Sequence, residues 1–132
     1  MTNHEASNLA WEHLRAGRIS EAGKLFTQVL SRDPKYAAAL HGLAHCVYPK
    51  GLRREAIDLL TRAVRADPKR ADAHIELAVC LRAEGHVDAA MQSAKKALQL
   101  DPARGFFHAA LGSIYEAKGR REEAIESYLR AA

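Results

Sequence analysis

Apolar residues recur along this chain at spacings of three and four, which is the periodicity of helices that bury one face. One such stripe runs from Ala73 to Leu81, and another runs from Val87 to Leu98. No segment alternates β-branched and polar residues in the way that a half-buried strand would. The pattern predicts an all-α protein with helices at about 3–16, 19–32, 37–48, 53–65, 71–83, 87–99, 105–117 and 121–131.

Glycine, leucine, alanine and proline recur in one register at an interval of 34 residues. Such spacing indicates that one supersecondary unit is repeated and that neighbouring units share a core. The columns are Gly17, Gly51, Gly85 and Gly119; Leu9, Leu43, Leu77 and Leu111; Ala22, Ala56, Ala90 and Ala124; and Pro34, Pro68 and Pro102. We predict a single domain, 1–132, with repeats at about 3–36, 37–70, 71–104 and 105–132.

Each repeat is predicted to be a pair of antiparallel helices, because glycine and proline interrupt it at fixed places. Gly85 supplies the left-handed backbone that ends a first helix. Pro102 pushes Asp101 out of the helical region and ends a second helix. The second repeat differs, since Pro49 has no counterpart in the other copies. It is predicted to end or kink the third helix about a turn early, which changes how Tyr48 is presented.

The register resembles that of the tetratricopeptide repeat (TPR), a unit of 34 residues. The fourth copy carries the resemblance best, through Leu111-Gly112, Tyr115, Ala124 and Tyr128. The opening tryptophan position of the family is filled by other residues in this chain. The resemblance covers essentially the whole sequence. It implies a right-handed superhelical solenoid of antiparallel helix hairpins, in which the first helix of each hairpin lines a concave groove.

In such a groove, aromatic and polar side chains on one helix face would hold a peptide or a segment of a partner protein. The predicted function is a protein–protein interaction module with a scaffold or adaptor role. Leu14, Ile75 and Val79 are open to a second interpretation, in which they only pack between helices. The residues that the resemblance assigns to the groove are Ser7, Trp11, His41, His45, Tyr48, Asp72, Ile75, Val79, Arg82 and Phe106.

The apolar flank of the last predicted helix suggests a second hypothesis. Ala124, Ile125, Tyr128 and Leu129 form this flank, whereas terminal helices of solenoids normally present a polar outer face. The chain could therefore be a regulatory or substrate-recruiting domain of a larger enzyme whose catalytic part lies elsewhere. We expect the flank to be covered by further sequence of a longer protein or by another chain, including a second copy through self-association.

His41 and His45 share one helix face at a spacing of four, at which two imidazoles can bind one metal ion. A third ligand could come from Asp72, His74 or Glu76. The favoured interpretation is a polar patch in a protein-binding groove. The sequence therefore predicts no metal and no cofactor.

Cys46 and Cys80 occupy equivalent positions of adjacent repeats, about 10 Å apart if the helices pack normally, which is beyond disulfide reach. They are predicted to be small buried side chains. The chain contains no Gly-rich phosphate loop, nucleophile elbow or paired-cysteine motif. These features favour a protein that is not an enzyme.

The chain is mildly basic, with a formal net charge of +4. Its lysines and arginines are interspersed with acidic residues, so we expect no nucleic-acid partner. No run approaches 18 apolar residues, and the N-terminus does not resemble a signal peptide. We therefore expect no membrane association and a cytoplasmic location.

Overall fold

The computed structural model describes residues 1–132 and contains eight α-helices and no strand. All eight predicted helices are confirmed, and no predicted terminus differs from the observed one by more than one residue. The helices are α1 (Asn3–Arg15), α2 (Ile19–Arg32), α3 (Ala37–Val47), α4 (Arg53–Ala66), α5 (Ala71–Ala83), α6 (Val87–Leu100), α7 (Gly105–Ala117) and α8 (Arg121–Ala131).

The helices end where glycine and proline predicted that they would. The glycine that follows each first helix is left-handed, as shown by φ values of 87° at Gly85 and 76° at Gly119. An added Cβ at either position would meet nothing within 4 Å, so only the backbone conformation requires glycine there. The second helices end differently, since Asp67 and Asp101 precede prolines with ψ values of 91° and 87°. These ψ values lie outside the helical region, as expected for a residue before proline.

The third helix is interrupted at the proline that is unique to the second repeat. The α-helix ends at Val47, and residues Tyr48–Lys50 form a single 3-10 turn that contains Pro49. Gly51 then closes the turn in the left-handed conformation, with φ of 79°. The predicted early end of this helix is therefore confirmed.

The chain divides by its contacts into two compact units, and each of them holds two of the four predicted repeats. Unit 1 is Met1–Pro68 and unit 2 is Lys69–Ala132. In unit 1, α1 pairs with α2, α3 pairs with α4, and α2 also packs against α3. In unit 2, α5 pairs with α6, α7 pairs with α8, and α6 also packs against α7. The second helix of one hairpin thus covers the first helix of the next hairpin within each unit.

The core of unit 1 is built around Phe26, which is fully buried. Alanines such as Ala10, Ala22 and Ala39 let the helices approach closely around this ring. Gly42 allows the closest approach, because a Cβ at that position would lie 2.1 Å from Cζ of Phe26. Burying a phenylalanine side chain of this kind contributes roughly 1.5–3 kcal/mol to folding.

The core of unit 2 follows the same pattern with different residues. Phe107 and Ile114 of α7 are buried against the alanines of α5 and α6. Gly112 lies beneath the ring of Tyr128, since an added Cβ would be 2.8 Å from its Cε1 atom. This close contact explains why a small residue follows Leu111 in the repeat pattern.

Both cysteines are buried, and neither forms a disulfide, as predicted. The Cys46 thiol donates a long hydrogen bond of 3.9 Å to the carbonyl of Ile19. Burial raises the pKa of the Cys46 thiol, and the nearby charge of Lys50 offsets part of that rise. A thiol of this kind is a packing side chain that reacts slowly at neutral pH.

Candidate functional site

The first helices of unit 1 bring Trp11, His41 and His45 into one cluster. The centroid of the indole lies 5.1 Å from the His41 ring and 5.3 Å from the His45 ring, with edge-on geometry in both contacts. The two imidazole centroids are 5.2 Å apart. The predicted site residues of α1 and α3 are therefore brought together on one face, which we call the α1–α3 face.

The cluster forms because two helical periodicities coincide. His41 and His45 are separated by one turn and project from the same side of α3. Trp11 reaches across from α1 and donates its indole N–H to the carbonyl oxygen of Ala38 over 3.1 Å. The ring of Trp11 also packs edge-on against Phe26, at a centroid distance of 5.7 Å. Trp11 therefore stabilises the packing of α1 on α3 as well as contributing to this face.

The predicted site residues of unit 1 differ in how much of each side chain is accessible. Ser7 and His41 are buried, and the hydroxyl of Ser7 has no hydrogen-bond partner. Trp11 and His45 are half-buried. Tyr48 is 43% exposed, because it follows the end of α3 and belongs to the 3-10 turn. The accessible predicted site residues of unit 1 are therefore Trp11, His45 and Tyr48.

The predicted site residues of unit 2 include one large exposed aromatic side chain. Phe106 is 56% exposed at the start of α7. Asp72 forms an ion pair with Arg104, with 3.0 Å between Oδ1 and Nη2. The guanidinium of Arg104 also lies 4.6 Å above the ring of Phe107. This surface of unit 2 therefore combines an exposed ring with a pair of opposite charges.

The predicted site residues of α5 differ in how deeply each side chain is buried; they are Ile75, Val79 and Arg82. Ile75 is fully buried in the core of unit 2 beside Phe107, so it offers no surface to a partner. The reason is that α7 packs against α5 on this side and covers the side chain. Val79 and Arg82 are half-buried. We therefore treat Ile75, like Ser7 and His41, as an interior residue.

Sequence reasoning did not single out Arg104. This residue immediately precedes α7, and its side chain contacts both Asp72 and Asp101, at 3.0 Å and 3.8 Å. A basic residue two positions after the Asp-Pro pair was visible in the sequence. However, only the packing of α5 against α7 shows that Asp72 is its partner.

A second polar contact of unit 2 joins Tyr128 of α8 to Glu116 of α7. The Tyr128 hydroxyl donates a hydrogen bond to the Glu116 carboxylate. This hydrogen bond raises the pKa of Tyr128, because it stabilises the protonated phenol, and partial burial acts in the same direction. The contact ties α8 to α7.

Comparison with known families identifies the repeats. Three family models described as tetratricopeptide repeat match residues 13–52, 48–104 and 108–132. The chain belongs to the tetratricopeptide repeat family. This family relationship confirms the resemblance on which the assignment of first and second helices was based.

Solved structures of MamA have the same fold. One crystal structure of MamA aligns with a TM-score of 0.86 and 24% identity, over 98% of this TPR chain and 76% of that chain. MamA AMB-1 aligns with a TM-score of 0.79 and 27% identity, over 99% and 72% of the two chains. MamA from Desulfovibrio magneticus RS-1 aligns with a TM-score of 0.84 and 20% identity, over 98% and 73%. The predicted all-α, TPR-like fold class is thereby confirmed.

The family relationship supports a general function for this chain. No curated protein matches the chain. Tetratricopeptide repeats mediate protein–protein interactions as a class, so the chain is a protein-interaction module in this general sense. None of its helices has an apolar stretch long enough to cross a membrane.

Proposed function

We propose that this TPR protein binds a peptide or an extended segment of a partner protein on the α1–α3 face of unit 1. The observation that carries the proposal is the cluster of Trp11, His41 and His45, bordered by the exposed ring of Tyr48. Aromatic side chains with a polar tip contribute most of the binding energy at many protein interfaces. The proposed role is that of a scaffold or adaptor without catalysis of its own.

The cluster supports binding because its geometry is fixed before a partner arrives. The hydrogen bond to Ala38 and the contact with Phe26 hold the indole of Trp11 in place. A preordered surface loses less conformational entropy on binding than a mobile one. An apolar side chain of the partner would pack against Trp11 and Tyr48. The half-buried imidazole of His45 would contact the partner beside them.

Unit 2 offers a second proposed contact surface. Phe106 supplies an exposed aromatic ring, Asp72 is ion-paired with Arg104, and Val79 and Arg82 lie farther along α5. We propose that this surface also contacts protein, with Phe106 as its apolar anchor. The buried residues Ser7, His41 and Ile75 are proposed to support these surfaces without touching a partner.

A selection from a library of displayed random peptides tests the proposal. Peptides that bind the wild-type protein are measured by titration against the double variant His45→Ala/Tyr48→Ala. We expect at least about a tenfold loss of affinity, which corresponds to about 1.4 kcal/mol. Trp11 is left intact in this variant because it also anchors α1 on α3. Far-UV circular dichroism checks that the helices are retained.

The matched control is Leu100→Ala, which removes an exposed apolar side chain at the end of α6. This control is expected to bind the selected peptides as tightly as the wild type. The proposal is wrong if the double variant binds them with unchanged affinity. It is also wrong if Leu100→Ala weakens binding as much as the double variant does.

A further inference from the structure

An open groove lies on the side of unit 1 that faces away from the α1–α3 face. It has a volume of about 950 Å³ and runs along α2 and α3. Leu43, Cys46 and Val47 of α3 line it. At 100° per residue, these three positions point roughly opposite to His41 and His45. This α2–α3 groove is therefore separate from the proposed partner-binding surface.

The groove is widened at Gly23, where the first repeat has no side chain and the other repeats have large ones. Ser20, Gly23, Thr27 and Ser31 follow one another along the lining side of α2. At the position of Gly23, the other three repeats carry Ile57, Met91 and Ile125. The missing side chain leaves space that an apolar side chain of another molecule can fill.

The charged side chains that line the groove are both basic. Lys24 of α2 and Lys50 of the 3-10 turn line the groove, and no carboxylate does. A smaller hollow adjoins it and shares Leu43 and Val47. Glu55 and Asp58 of α4 line that hollow together with Arg54. An apolar helix that fills the groove would therefore fit best with acidic residues toward Lys24 of α2.

Helix α8 has this arrangement of side chains. Ile125 and Leu129 are 50% and 71% exposed and form an apolar stripe, which we call the α8 ridge. At 100° per residue, Glu122 and Glu126 lie on one flank of the ridge, and Arg121 lies on the other. The three charged side chains are exposed. An acidic flank and a basic one thus border the exposed apolar ridge, and Glu126 of the acidic flank also forms an ion pair with Arg130 of α8, at 2.7 Å.

The lengths of the two surfaces also agree. The eleven residues of α8 correspond to a helix of about 16 Å, at 1.5 Å per residue. The segment of α2 that lines the groove, from Ile19 to Ser31, is about 20 Å long by the same measure. A helix of this size can be seated in the groove along its whole length.

We propose that α8 of one copy of this protein docks in the α2–α3 groove of a second copy, with the α8 ridge over Gly23. The contact joins two different surfaces, so it is heterologous. Copies therefore add head to tail, in an open chain unless the rotation between them closes a ring. A single helix in a groove buries less than a standard interface, so the association is weak and depends on concentration. This inference does not depend on the proposed function of the α1–α3 face.

Sedimentation velocity tests the proposal with two variants, each lacking one of the surfaces. Leu129→Lys removes the most exposed residue of the α8 ridge and places a positive charge against Lys24. Gly23→Met with Lys24→Glu fills the groove and reverses its charge; methionine is the residue that the third repeat carries at this position. Thr27→Arg is the second groove variant, in case the first one alters the fold. Circular dichroism verifies the helical content of each protein.

The wild-type protein is expected to form a series of oligomers larger than the dimer as its concentration rises from about 10 µM to about 1 mM, in the range of weak interfaces. Each variant alone is expected to stay monomeric over this range. In an equimolar mixture, the α8 variant supplies an intact groove and the groove variant supplies an intact α8. The mixture is therefore expected to form dimers and nothing larger.

The controls are Leu100→Lys and Lys95→Glu on α6, which make the same chemical changes outside both surfaces. Both are expected to assemble like the wild type, and added salt is expected to weaken all assembly. A wild-type protein that stays monomeric at about 1 mM, the upper end of weak association, overturns the proposal. It is also overturned if either variant still assembles alone, or if the mixture yields no dimer.

Discussion

Gly42 shows how the space at a single Cβ position decides the packing of unit 1. The residue lies beneath the ring of Phe26, and that ring is fully buried, so it cannot move aside. Gly23, on the neighbouring helix α2, has its nearest neighbour at 4.0 Å from an added Cβ, the sulfur of Cys46. Two helical glycines of the same unit therefore have opposite tolerance for a methyl group.

We predict that Gly42→Ala lowers the free energy of unfolding by about 1–3 kcal/mol, or more, because the new methyl group overpacks the core. Urea unfolding followed by circular dichroism measures the change. The matched substitution Gly23→Ala is expected to raise stability by about 0.5–1 kcal/mol, because alanine favours the helix and meets no obstacle. Equal effects of the two substitutions would contradict the packing described for Phe26.

Ser7 is a second position where one atom matters. Its hydroxyl is buried without a hydrogen-bond partner, so folding removes it from water without compensation. We predict that Ser7→Ala leaves stability unchanged or raises it by up to about 1 kcal/mol. Thermal unfolding is the measurement. A loss of stability larger than about 1 kcal/mol would mean that the hydroxyl has a partner in solution.

At the scale of the element, the ends of the helices depend on local chemistry. Helix α1 begins with a capping box, in which the side chain of Thr2 accepts from the N–H of Glu5 and the Glu5 carboxylate accepts from the N–H of Thr2. The hydrogen bond from the Thr2 backbone lowers the pKa of Glu5, and the bond with the Thr2 side chain adds to this effect. The other helices of this chain begin without a side-chain cap.

We predict that the contribution of the Glu5 carboxylate to the stability of α1 depends on pH. Because the pKa is lower in the folded chain, the contribution is complete above the ordinary glutamate pKa and is lost as the pH falls through the folded value. Glu5→Gln is therefore expected to be less stable than the wild type near pH 6, and the difference is expected to shrink as the pH falls below the ordinary glutamate pKa. Urea midpoints at several pH values measure this. The control Glu12→Gln, in the middle of α1, should show no such convergence.

At the scale of the whole molecule, each compact unit contains one buried thiol. Cys46 belongs to unit 1 and Cys80 to unit 2. Repeat proteins can open in parts, since each repeat contacts only its neighbours. The two thiols can therefore report on the opening of the two units separately.

We predict that each thiol reacts with a small disulfide reagent at least about 100-fold more slowly in the folded protein than in urea, because reaction requires local opening. The variant Cys80→Ala reports on unit 1, and Cys46→Ala reports on unit 2. Absorbance of the released thiolate gives both rates. Immediate reaction of either thiol under native conditions would contradict the burial described here.

The helices, their order and their ends followed from the sequence, because they depend on residues that are close together in the chain. The 34-residue register located every left-handed glycine, and Pro49 located the 3-10 turn. The pairing of Trp11 with His41 and His45 was expected only through the resemblance to a family. For Ile75 the sequence left a groove position and an interior position both open, and it gave no sign of the pairing of Asp72 with Arg104, because both depend on α7 packing against α5.

What the sequence determined by itself is therefore the local part of this protein: eight helices, four repeats and the places where the helices stop. Only the tertiary structure decided which polar and apolar side chains remain on the surface. Periodicity states which side of a helix a residue occupies, but burial depends on which other helix covers that side. The α2–α3 groove illustrates the difference: Gly23 was visible in its repeat column, but the space above it exists only because α3 lies beside α2.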